Sequence, residues 1–83
     1  MTDRELLLVA GHAYNCQGCR DRLLADPTRI LAGQRLGAQE RERLTHLTSE
    51  SFSSLSALAA AIGATTAELY AIMDDPRCRL RHF

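Results

Sequence analysis

The stretch FSSLSALAAAIGATTAELYAIM, from Phe52 to Met73, decides the fold of this chain. Apolar side chains recur through its first half at helical spacing, at Phe52, Leu55, Leu58, Ala59 and Ile62. Residues three and four apart share one face of a helix, so this spacing predicts an amphipathic helix with one buried face. Ser49 or Ser51, in the polar segment around its start, is the expected N-cap.

A helix end and a second helix start follow in the same stretch. Gly63 supplies the residue type that most readily adopts the left-handed conformation at a helix end. Thr65 and Glu68 have the spacing of a capping box, which begins the next helix. The stretch therefore predicts two helices joined by a tight corner. The core residues predicted from it are Leu55, Leu58, Ile62, Leu69 and Ile72.

The composition indicates one small helical domain. The chain has 83 residues, of which 46% are hydrophobic, and much of that fraction is alanine and leucine. Both residue types favour helix, and no segment has the alternating pattern of a strand. We predict a single all-α domain over residues 1–83, a compact bundle of four or five short helices.

Charge, hydropathy and cysteine count narrow the function classes. Ten basic and ten acidic residues give a net charge of zero, which removes the global electrostatic argument for a nucleic-acid partner. No apolar run has the length of a membrane span, and the N-terminus does not have the layout of a signal peptide. Three cysteines are an odd number for a disulfide framework. We expect a cytoplasmic protein with no membrane partner.

Capping residues predict where the first helix begins. Thr2 and the glutamate three residues later form a capping box, which predicts a helix from about Asp3. This helix either breaks near Gly11 or Gly18, because glycine weakens a helix, or continues to about Ala25.

Two Asp-Pro pairs combine an N-cap with a proline at the first helical position. Asp26 begins a short helix, Pro27–Ala32, which Gly33 ends, and Asp75 begins a short final helix. Between them, the charged segment Ala38–Leu47 is predicted to be a surface helix.

The cysteines and two histidines carry the candidate chemistry. Cys16 and Cys19 form a CxxC, and Cys78 and His82 form a CxxxH near the other end. Each pair shares one face of a helix at its spacing, and together the four side chains are a known tetrahedral complement for zinc. His12, one turn before Cys16, is an alternative ligand to His82. If the first and last helices pack side by side, these donors converge on one zinc ion.

Other interpretations of the cysteines stay open. Cys16 and Cys19 can pack in the core as small hydrophobic residues, with Cys78 exposed on the short final helix. A redox pair is disfavoured because no strand precedes the CxxC, and Arg20 after Cys19 excludes a c-type haem site. From the sequence alone we favour the core interpretation, in which the chain holds no cofactor.

The segment SLSALAAAIGATTAEL, from Ser54 to Leu69, resembles the closing helices of helix-turn-helix domains of the phage-repressor type. This resemblance implies a recognition helix at Ala38–Leu47, where Glu40 and Glu42 would repel phosphate. A small DNA-binding regulator is therefore an alternative function and not the favoured one.

Three further segments share a pattern with a known family: LLADP at 23–27, RLGAQERERL at 35–44 and ELYAIMDDPRCRL at 68–80. They resemble the small helical subunit of protocatechuate-type extradiol dioxygenases. The resemblance implies a subunit that does not bind the iron and that packs over a larger partner. Similar domains also serve as recognition segments of ribosomal peptide precursors, which a modifying enzyme holds while a C-terminal tail is processed.

No set of nucleophile, base and orienting group can be assembled, since the Ser and Thr residues lie mostly at predicted helix caps. We therefore predict a non-catalytic interaction module that serves a larger protein partner as a small subunit or recognition domain. A helical domain stapled by zinc is a further alternative, and it is compatible with either function.

We predict that the chain binds duplex DNA weakly and without sequence preference at physiological salt, because carboxylates alternate with arginines along Ala38–Leu47. A gel-shift titration over a range of salt concentrations measures this. Clear discrimination between DNA sequences, with affinity falling steeply as salt is added, would instead favour the regulator.

Overall fold

The computed structural model describes residues 3–79, and its regular secondary structure there is entirely helical. Seven α-helices follow one another: α1 Arg4–Asn15, α2 Gln17–Ala25, α3 Pro27–Ala32, α4 Ala38–Thr45, α5 Leu55–Ile62, α6 Thr66–Met73 and α7 Pro76–Arg79. A 3-10 turn, Ser49–Phe52, precedes α5. The all-α class is confirmed, while the described residues form more and shorter helices than the four or five predicted.

The corner between α5 and α6 has the predicted construction. Gly63 adopts the left-handed conformation with φ of 72°. The hydroxyl of Thr65 accepts a hydrogen bond from the N–H of Glu68, whose carboxylate accepts one from the N–H of Thr65. The two helix axes are bent by 110° at this corner. Among the described helices none alone is long and apolar enough to cross a membrane. Of these helices, only α5 and α6 taken together, with the bend between them, have the length and apolar composition of a membrane span.

Two predicted caps are replaced by neighbouring residues. Ser54 caps α5, because its hydroxyl accepts the N–H three residues later at 3.0 Å. Ser49 and Ser51 belong to the preceding 3-10 turn instead. Asp3 caps α1 by accepting the N–H three residues later at 3.1 Å, whereas Thr2 lies outside the described residues. The predicted helix starts were therefore close, and the capping side chains were wrong.

The break in the first predicted helix falls at Cys16 and not at a glycine. Cys16 has an extended backbone, with φ of −113° and ψ of 105°, and separates α1 from α2. Gly11 lies inside α1, where an added Cβ would meet the sulfur of Cys78 at 3.0 Å. Gly18 lies inside α2 with open space around it. Gly11 therefore allows α7 to approach α1 closely and does not end a helix.

One apolar core is shared by the helices, and α1 contacts most of them. It packs against α6 and α7 near the end of the described chain, so the first and last described helices lie side by side. Leu58, Ile62, Leu69 and Ile72 are buried as predicted, and Leu55 is half-buried at the edge of this core. The packing of α7 on α1 brings Cys78 close to the end of α1 that carries His12.

We predict that Ile62→Ala lowers the free energy of unfolding by about 2–5 kcal/mol, because this side chain is fully buried and leaves a cavity. Ser56→Ala, at an exposed position of the same helix, is the matched control and should change stability by less than about 0.5 kcal/mol. Urea denaturation followed by circular dichroism measures both. Equal, small losses for the two variants would contradict the burial of this face of α5.

Candidate metal centre

The joint between α1 and α2 places two sulfurs side by side. Cys16 is the N-cap of α2, and Cys19 lies in its first turn. Their Sγ atoms are 3.0 Å apart, and the backbone N–H of Cys19 donates to the Cys16 sulfur at 3.4 Å. The two residues were predicted to share one face of a continuous helix. They instead meet because Cys16 lies at the joint, where its side chain turns back over the start of α2.

His12, in the last turn of α1, is held between the CxxC and α7. Its side chain is 2% exposed. The ring nitrogen Nδ1 lies 2.5 Å from the carbonyl oxygen of Cys78, and Nε2 lies 3.1 Å from the sulfur of Cys19. Because a carbonyl only accepts hydrogen bonds, Nδ1 carries the proton and donates it. The lone pair of Nε2 is therefore directed towards the two cysteines.

These three side chains form a compact ligand set. One ring nitrogen of His12 and the sulfurs of Cys16 and Cys19 all lie within 4.8 Å of one another. A tetrahedral zinc ion, with Zn–S of about 2.3 Å and Zn–N of about 2.0–2.1 Å, needs sulfurs roughly 3.8 Å apart and nitrogen roughly 3.6 Å from sulfur. The observed separations of 3.0 and 3.1 Å need to widen by less than 1 Å to reach this geometry.

Cys78 contributes its carbonyl oxygen to this centre and directs its thiol elsewhere. The side chain is fully buried, so the expectation of an exposed Cys78 was wrong. Its sulfur faces the carbonyl oxygen of Leu8 at 3.7 Å. Burial, together with the negative charge of Asp75, raises the pKa of this thiol. A thiol held protonated is a poor zinc ligand, because the thiolate is the form that binds metal. His82, the remaining predicted ligand, lies outside the described residues.

Cys16 has the opposite electrostatic environment. When Cys16 ionises, the thiol of Cys19 donates a hydrogen bond to its sulfur, and the N–H of Cys19 donates a second. These two hydrogen bonds lower the pKa of the Cys16 thiol. The side chain is also half-exposed, whereas Cys19 is 1% exposed. Cys16 is therefore the cysteine of the set that solvent and small molecules reach first.

The arginines of α4, which belong to the predicted DNA-binding face, donate to backbone carbonyls. Arg41 contacts the carbonyl oxygen of Leu36 at 3.2 Å, and Arg43 contacts that of Ile62, at the end of α5, at 3.1 Å. A cation at this position also interacts favourably with the dipole of α5. These guanidinium groups stabilise helix ends and loops, so their contacts give DNA binding no added support.

No model of a protein family matches the chain, and neither the curated proteins nor the solved structures contain a match. The resemblance to the small dioxygenase subunit therefore stays a prediction.

We predict that iodoacetamide modifies Cys16 before Cys78 in the metal-free protein. The lowered pKa of Cys16 means that its alkylation rate should rise with pH and level off below the pH at which an ordinary thiol ionises. Burial and the raised pKa should keep Cys78 slow throughout. Tandem mass spectrometry of the labelled peptides follows each cysteine separately. Equal rates at the two cysteines would contradict the described environments.

Proposed function

We propose that this chain is a zinc-binding helical domain in which His12, Cys16 and Cys19 hold one Zn²⁺ ion. The observation that carries the proposal is the orientation of His12, whose Nε2 lies 3.1 Å from the sulfur of Cys19 while Nδ1 contacts a carbonyl. Histidines that bind metals commonly donate their other ring N–H to a carbonyl or carboxylate, which fixes the tautomer. A thiolate pair and an imidazole are ligands that zinc prefers.

The role proposed for the ion is structural. It would connect the last turn of α1, which carries His12, to the start of α2, which carries Cys19. At 83 residues the domain is near the lower size at which a core alone suffices, so such a metal would add to its stability. Binding replaces the two thiol protons, so zinc affinity should rise with pH. A reducing, cytoplasmic location is part of the proposal, since zinc binds Cys16 and Cys19 as thiolates and not as a disulfide.

A tetrahedral ion needs a fourth ligand beyond these three side chains. The sequence predicts His82, four residues after Cys78, for this position, and water is the alternative. The two assignments differ in their consequences. His82→Ala should lower zinc affinity if the imidazole is the ligand and should leave it unchanged if water is. In either case the stoichiometry stays at one ion per chain.

The matched variants Cys19→Ala and Cys78→Ala test the proposal. Both side chains are fully buried, so both substitutions leave a similar cavity. We expect one zinc per chain, by elemental analysis, in the wild type and Cys78→Ala, and none in Cys19→Ala. A chelator should lower the melting temperature of the first two proteins and leave that of Cys19→Ala unchanged.

Two results would contradict zinc binding by His12, Cys16 and Cys19. Wild-type protein that takes up no stoichiometric zinc, and whose melting temperature a chelator does not change, would show that the three side chains pack without a metal. Loss of zinc in Cys78→Ala as well as in Cys19→Ala would show that the thiol of Cys78 is a ligand and that the proposed set is wrong.

A second function concerns the exposed face of α6. Tyr70 is 70% exposed and lies between two shallow depressions. Their other lining residues are Leu55, Thr66, Ala67 and Ala71 on one side and Asn15, Met73, Asp74 and Arg79 on the other. An exposed tyrosine beside small apolar side chains is typical of residues that dominate protein interfaces. We infer that the domain is non-catalytic and uses this face to bind a larger protein, as a small subunit or recognition domain.

Tyr70→Ser should abolish capture of that partner from the native source without changing the melting temperature, because Tyr70 contributes little to the core. Gln39→Ser, at an exposed position of α4, is the control and should retain capture. Pull-down with identification by mass spectrometry gives the readout. A partner captured equally by both variants would place the interface elsewhere.

A further inference from the structure

The two sulfurs of the CxxC are closer together than a zinc ion requires. Their separation of 3.0 Å lies between the value of about 2.05 Å in a disulfide and roughly 3.8 Å in a zinc tetrahedron. Both states are therefore reached by movements of about 1 Å or less. Rotation of the half-exposed Cys16 side chain can supply a movement of this size without a change in the backbone.

We propose that Cys16 and Cys19 are a site of reversible oxidation by hydroperoxides, and that formation of their disulfide releases the zinc ion. The release rests on the zinc-binding function proposed above. The oxidation itself rests on the geometry of the two sulfurs and applies to the metal-free protein as well.

The chemistry proceeds in two balanced steps. The thiolate of Cys16 attacks the outer oxygen of the hydroperoxide, the O–O bond breaks, and an alcohol or water leaves after taking one proton from solvent. Cys16 is then a sulfenic acid. The sulfur of Cys19 attacks that of Cys16, the S–O bond breaks, and hydroxide leaves and becomes water with a second proton. The two cysteines lose two electrons and the peroxide gains them, while zinc loses two of its ligands.

The structure assigns a different role to each cysteine. Cys16 is half-exposed at the joint, so it meets the oxidant. Cys19 is 1% exposed and lies 3.0 Å from the first sulfur, so it resolves the sulfenic acid. Cys78 is fully buried with its sulfur facing the carbonyl oxygen of Leu8, so it takes part in neither step.

Hydrogen peroxide added to the full-length, zinc-loaded protein tests the proposal, with a chromogenic zinc chelator reporting the free ion and intact-mass spectrometry reporting the thiols. We expect one zinc released per chain together with a mass loss of about 2 Da, the two hydrogens of a disulfide. Dithiothreitol should restore the original mass and zinc binding. Peptide mapping should place the disulfide between Cys16 and Cys19, and Cys78→Ala should behave like the wild type.

A mass gain from added oxygen without a disulfide, or a disulfide that includes Cys78, would overturn the proposal. Two further proteins, Cys16→Ser and the metal-free wild type, distinguish a failure of the oxidation proposal from a failure of the zinc-binding proposal. Cys16→Ser should form no disulfide. Zinc-loaded protein that forms no disulfide would refute the oxidation and leave zinc binding intact. Protein that binds no zinc and still forms the Cys16–Cys19 disulfide would refute zinc binding and leave the oxidation standing.

Discussion

The hydrogen bond from His12 Nδ1 to the carbonyl oxygen of Cys78 joins the two ends of the described chain. It lies in the interior, where a hydrogen bond left unmade costs more than the net gain of a typical one. Gly11 makes it possible, because a Cβ at this position would meet the Cys78 sulfur at 3.0 Å and separate α7 from α1. The same bond directs Nε2 towards Cys19. Fold and candidate metal centre therefore depend on one contact.

The sequence predicts the features that arise from neighbouring residues. The left-handed Gly63 and the capping box of Thr65 and Glu68 are confirmed, because caps need only residues within one turn. The start of α3 at Pro27 follows from the same local chemistry. The exact cap of α1 was missed because two residues that can both cap a helix, Thr2 and Asp3, precede it, and Asp3 makes the capping hydrogen bond.

The candidate centre was predictable only in part. The spacing of Cys16 and Cys19 predicted both as ligands, and His12 was only the alternative to His82, whereas the structure brings His12 together with the two cysteines. The direction of the Cys78 thiol depends on how α7 packs against α1, which no local pattern records. The contact that orients His12 uses the backbone carbonyl oxygen of Cys78. Every residue type has such an oxygen, so the sequence could not predict this contact. The spacing of the cysteines included Cys78 in the ligand set. The long-range packing of α7 turns its thiol away, so the geometry supports His12, Cys16 and Cys19 instead.

The tautomer of His12 tests this account most directly. A long-range ¹H–¹⁵N correlation spectrum of the zinc-free protein at neutral pH shows which ring nitrogen carries the proton, with His12→Gln assigning the signal among the three histidines. We predict a proton on Nδ1 and none on Nε2, and a shift of the Nε2 resonance alone when zinc is added. A proton on Nε2 with a bare Nδ1 would contradict this prediction, because the Cys78 carbonyl would then have no donor and the zinc ion no imidazole ligand.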